Sequence, residues 1–155
     1  MADVYPIFQQ RLGQNDVDWV TATIKIRPIT DAVAPVFDEA DLDMTAVMAN
    51  SDTSAISAIT GSPGNDATLG TRTVDIVTTA GGGSDYAAVK TTYSAVSGTE
   101  TWTHAVVYDA QVDTNDGTRI PICLLDLTDV TANGSDIDIL FSGTDPGEVM
   151  TSRTP

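Results

Sequence analysis

Much hydrolytic and group-transfer chemistry depends on a histidine or a cysteine, and this chain has one of each, His104 and Cys123. A Ser–His–Asp or Cys–His arrangement would have to use His104. No Gly-x-Ser-x-Gly stands before a helix to strain a serine into a nucleophile. Cys123 falls within an apolar strand pattern, where a buried structural thiol is expected. His104, between Trp102 and Val106 at period two, reads as packing or surface. One histidine and one cysteine do not supply the three or four close ligands of a zinc site. Gly81-Gly82-Gly83 is followed by no Lys-Ser/Thr pair, so no phosphate loop is implied.

Carboxylates are the only plentiful reactive groups. Asp109, Asp113, Asn115 and Asp116 cluster before Gly117, but their spacing misses the EF-hand register and no closing glutamate follows. The cluster reads as a solvated turn, with calcium as the alternative. A glycosidase would use paired carboxylates in an aromatic-lined cleft, and aromatics are only 6% of the residues. The expectation is a non-enzymatic protein without cofactor or metal.

Net charge is −15, and 19 of the 22 acidic residues are aspartate. Asp favours turns and caps, while the abundant Thr, Val and Ile favour strands. The scattered seven basic residues argue against nucleic acid, which is bound by clustered Lys and Arg. The same field argues against anionic membranes. No apolar run approaches the ~20 residues that span a bilayer, and the N-terminus carries no signal-like core. The lone cysteine excludes an intrachain disulfide and suits a reducing cytoplasm.

Stretches that must position these groups follow in order. Residues 4–14 form a short helix or an extended arm, with Pro6 in the first turn and Gly13 at the end. Residues 19–29 alternate as a strand, with Pro28 at an end or edge. Residues 38–48 read as a short helix capped by Asp38, with Leu42, Ala46, Val47 and Ala49 on its apolar side. Residues 51–70 are a polar stretch with a turn at 62–66. Strands are expected at 72–78, with Val74 and Ile76 on one face, and at 86–96. Two stronger ones lie at 102–108 and 119–127, where Pro121 implies an edge or bulge. Asn133-Gly134 reads as a hairpin turn leading into a strand at 136–141, and the last dozen residues as a tail. Short strands separated by turn signals predict a mostly β fold, an antiparallel sandwich or small barrel of jelly-roll or other topology, with one or two short helices. The organisation expected is an arm or helix at 1–16, a β domain at 17–142 and a tail at 143–155.

Several motifs share an order. Val4-Tyr5-Pro6 opens an apolar segment. Asp16-Val17-Asp18-Trp19 precedes the strand Thr23-Ile24-Lys25-Ile26. Later come Ala105-Val106-Val107-Tyr108, Ile120-Pro121-Ile122, and Asn133-Gly134 leading to Ile137-Asp138-Ile139. This order, across residues 4–142, resembles the capsid decoration, or cement, proteins encoded among tailed-phage head genes. The resemblance implies a virion protein on the outside of an icosahedral shell, assembled in the host cytoplasm. Its partner would be the major capsid protein, and it would be a homo-oligomer, a trimer by preference, at local three-fold positions. Val4, Tyr5, Ile7 and Phe8 are candidates for an arm that orders on contact, and Trp19 joins them as an interface candidate; the alternative is that the arm packs on its own domain. This chain has a longer Ser/Thr/Gly-rich centre and a tail beyond the last strand. Other readings are a head-completion or tail protein, and a calcium- or carbohydrate-binding β-sandwich.

Overall fold

In the computed structural model the described residues are 3–30, 37–49, 54–55, 63–76, 84–97, 101–110, 115–141 and 147–152. The fold is mostly β, antiparallel and sandwich-like, and the described residues include two short helices and close no barrel. In chain order the elements are β1 (Asp3–Val4), α1 (Pro6–Gly13), β2 (Ile24–Thr30), α2 (Met44–Ala49), β3 (Ser54–Ala55), β4 (Ala67–Thr68), β5 (Arg72–Ile76) and β6 (Ser84–Ala88). They continue with β7 (Thr91–Tyr93), β8 (Thr101–Asp109), a 3-10 turn at Asp116–Thr118, β9 (Ile120–Thr131), β10 (Ile137–Ile139) and β11 (Gly147–Ser152).

The main sheet runs β1-β9-β8-β2-β3, with β4 also on β2. Its centre is the pair β8–β9, the two segments with the strongest alternation in the sequence. Ile24, Ile26 and Ile29 of β2, Trp102 and residues 105–108 of β8, and Ile122 and Cys123 of β9 are essentially inaccessible. Both prolines are accommodated without losing the ladder. Pro121 sits where β9 shifts register against β8, Val107 pairing with Cys123 but Tyr108 with Pro121. Pro28 pairs with Ala105 on the β8 side, while on its other side β4 meets residues 25–26 and β3 meets residues 29–30. A residue without an N–H fits that gap.

Three expectations change. Residues 86–96 form two strands in different sheets: β6 lies between β5 and β11, and β7 pairs with β10. The expected tail contains β11, antiparallel to β6, with Val149 and Met150 buried. Its flanking Gly and Pro conceal a short strand that only a long-range partner stabilises. The second helix starts at Met44, not near Asp38. Asp43 accepts the Ala46 N–H at 2.9 Å as its cap, whereas Asp38 closes a separate turn through the Ala40 N–H. Met44 and Val47 face the core, and Leu42 is 64% exposed.

Candidate binding surface

The first helix shows what the N-terminal segment does. Pro6 stands at its start, where the missing N–H costs nothing. The Tyr5 N–H donates to the Ile122 carbonyl at 2.9 Å and Val4 pairs with Cys123, so the chain enters along the edge of β9. Tyr5, Ile7 and Phe8 then point inward and are 8% exposed or less, and Phe8 is fully buried. Its ring meets Tyr86 edge-on at 6.0 Å, and Trp19 meets the same Tyr86 at 5.6 Å. Of the five residues singled out as interface candidates, Tyr5, Ile7, Phe8 and Trp19 are therefore core residues of this domain, and only Val4 is half-buried. The arm alternative is corrected in favour of intramolecular packing. Large apolar side chains next to an uncovered β9 edge gain more by closing their own core than by waiting for a partner.

The loop after the helix is held by one cation. Arg72 donates from Nε to the Trp19 carbonyl at 2.6 Å, from Nη1 to Leu69 at 2.7 Å, and from Nη2 to Val20 at 3.0 Å and Ala22 at 2.6 Å. A planar guanidinium can satisfy several diverging carbonyls in this way; an ammonium cannot. Asp18 folds the same loop from the other side by accepting from the Val20 and Thr21 N–H groups and the Thr21 hydroxyl, which holds its carboxyl below the usual range.

A second cluster closes one end of the main sheet. Arg27 of β2 pairs with Asp66 at 2.7 Å and with Asp116 at 2.9 Å. Arg119 bonds Asp116 and stands 3.8 Å from Asp66. The two guanidinium carbons lie 5.5 and 5.3 Å from the centroid of the Tyr108 ring. Burial raises the carboxyls of Asp66 and Asp116, but the hydrogen bonds and charge of Arg27 outweigh it, with Arg119 adding to the effect, so both end below their ordinary range. Burial also pushes the Tyr108 hydroxyl well above its usual range. Four residues, with Arg27 and Asp116 bonded across 89 positions, thus tie β2, the turn before β4, the 3-10 turn and the start of β9.

Cys123 is fully buried in β9, and desolvation drives its thiol far from ionisation. His104 lies on β8 with Nδ1 3.0 Å from the Thr103 hydroxyl and Nε2 3.9 Å from Asp126. In the acidic turn, Asn115 accepts the Gly117 N–H and Asp116 is committed to the two arginines; Asp113 lies outside the described residues. Among the described residues no three His, Cys, Asp or Glu side chains converge as metal ligands, and no helix is long and apolar enough to cross a membrane.

What remains open is at the opposite end. After Thr131 the chain turns through Asn133-Gly134, with Gly134 at φ +89°. The expected hairpin does not form. Instead the Gly134 N–H donates to the Val96 carbonyl and the Val96 N–H to Ser135, which straps the turn to the end of the β7 segment. β10 consequently pairs with β7 rather than returning along β9. A groove of about 380 Å³ is left between the two strands, lined by Asp126, Leu127, Thr128 and Val130 from β9 and by residues 136–140. Leu140 stands at it 70% exposed. Other exposed large apolar side chains among the described residues are Leu42, Val20 and Val74. No sequence signal marked this groove, because it arises where two strands fail to pair. No family model, no curated protein and no solved structure matches the chain.

Proposed function

We propose that this chain is a structural virion protein that binds the outer surface of a phage icosahedral capsid and holds neighbouring major capsid subunits together. The observation that carries the reading is the ordered set of motifs from Val4-Tyr5-Pro6 through Asp16-x-Asp18-Trp19 to Asn133-Gly134 and Ile137-Asp138-Ile139. The architecture is compatible with it. These motifs build the entry edge, the Arg72-held loop and the strapped turn of one β domain. Its exposed Leu42, Val20 and Leu140 and its uncovered groove are surfaces another chain can complete.

The physics of such a role is mass action. A ligand that binds only the assembled shell stabilises it by about 4 kcal/mol per site at ~1,000 times its dissociation constant, and many sites add. A trimer at a local three-fold position would multiply each attachment through avidity. With the N-terminal residues spent on the core, attachment uses the folded surface and not a free arm.

The test is the copy number in purified particles, together with rebinding of purified protein to heads that lack it. On the order of hundreds of copies on the exterior and a rise in the shell's melting temperature on rebinding are expected, since each local three-fold site takes a symmetric set. About a dozen copies or fewer per particle would indicate a connector or completion protein. A solitary subunit with no affinity for shells would overturn the reading.

A further inference from the structure

We infer that the groove between β9 and β10 accepts an extended segment of another protein as an added β-strand, and that this segment alternates basic and apolar side chains. The inference deepens the assembly reading by naming the chemistry of the partner at one surface, and in that respect it rests on it.

The groove is an edge, not a face. Consecutive residues 136–140 all line it, including the buried Ile137 and Ile139 and the exposed Asp138, whose side chains point to opposite faces of β10. Only the side of a strand that carries its backbone N–H and C=O groups meets both sets. β10 has β7 on one edge, and among the described residues no strand lies on the other. β9 is similarly uncovered here: β1 reaches only Cys123 and Leu124, and beyond them no strand covers that side of β9 among the described residues. Such edges are templates for an incoming strand unless charge or a cover blocks them. Three residues of β10 offer about 10 Å of ladder, which suits a short segment.

Charge selects the occupant. Apolar positions come from Leu127, Val130 and the exposed Leu140, and the rim carries Asp126, with its side chain 83% exposed, and Asp136. Asp138 already binds Lys90 at 2.7 Å. A second copy of this chain is a poor occupant. Each copy brings a charge of −15, and five of its seven cations are engaged internally: Arg11, Arg27, Lys90 and Arg119 with aspartates, and Arg72 with carbonyls. A heterologous basic segment relieves this field; a like-charged one adds to it.

The probe is a labelled decapeptide of alternating lysine and valine, titrated by fluorescence anisotropy against the full chain, with an alternating glutamate–valine peptide beside it. Binding of the lysine peptide only, weakened by added salt, is expected. Amide protection should appear at residues 127–130 and 137–139. Leu140→Lys and Asp126→Lys, both at exposed positions and so compatible with folding, should each weaken binding about tenfold or more, whereas Val74→Lys, exposed on β5 and outside the groove, should leave it unchanged. Absence of binding, equal binding of both peptides, protection elsewhere, or self-association through the groove that Leu140→Lys abolishes would each overturn the inference. Groove binding by a protein that ignores shells would sink the capsid reading and leave this one standing; shell attachment unaffected by Leu140→Lys and Asp126→Lys, with no peptide bound, would do the reverse.

Discussion

The two ends of the main sheet handle charge in opposite ways. At the Arg27 end, two arginines and two aspartates face one another around Tyr108, and the backbone segments they come from are locked. At the β9–β10 end, carboxylates face solvent and the strands part. The same composition, short of cations, produces both. With only seven basic residues, the fold uses most of them to close its own loops, and the other end keeps one exposed ion pair, Lys90–Asp138, beside the exposed carboxylates of Asp126 and Asp136. The braced and the open parts of the sheet are thus separated in space.

The largest effects are expected in the core and at the closed end. Replacing the fully buried Phe8 by alanine should cost about 3–5 kcal/mol, measured by denaturant unfolding, because Tyr86 cannot refill the space. A loss under about 1 kcal/mol would mean the helix is not integral to the core. Arg27→Met should cost about 2–3 kcal/mol by leaving two partly buried carboxylates to share Arg119 alone, less than the full penalty of a completely buried, unpaired charge. The same cluster sets a pH dependence. Asp66 and Asp116 have folded-state values below their unfolded ones, so their stabilisation is present above the unfolded value of about 4 and is lost as pH falls through the folded values. The wild-type melting temperature should therefore drop below about pH 4 more steeply than that of Arg27→Met.

Effects at the open end should be smaller. Gly134→Ala places a side chain at φ +89°, where space is free but the backbone is strained, and should cost about 1 kcal/mol. Lys90→Ala removes a half-exposed pair with Asp138 and should change stability by no more than about 1 kcal/mol. A larger loss at either position would mean that the groove is cross-braced like the other end.

The strand content was legible because alternation survives wherever one face is buried: Ile24 and Ile26, Val106 and Tyr108, and Ile122 and Leu124 declare themselves. Partners were not legible. Nothing local tells β10 to choose β7 over β9; its place is held by two backbone bonds to Val96 and by Asp136 and Asp138, which accept from Ala95, Lys90 and Thr92. The break between β6 and β7 at Val89-Lys90 contains neither glycine nor proline. The arginine cluster has no local signature because Arg27 and Asp116 are far apart in sequence; the only cue is an arginine within the strand pattern from Ile24 to Ile29, which needs a counter-charge if it is buried. Tyr5, Ile7 and Phe8 were ambiguous by nature, since an amphipathic segment reads the same whether its own domain or a neighbour covers it.

That coverage has a use. Val4 lies directly across from Cys123, so the first strand and the tyrosine after it shield the molecule's one thiol. A thiol-modifying reagent would report openings of the structure around this buried sulfur, lifting of the leading strand among them. If docking onto a larger assembly pulled that strand away, the same thiol would switch from protected to reactive.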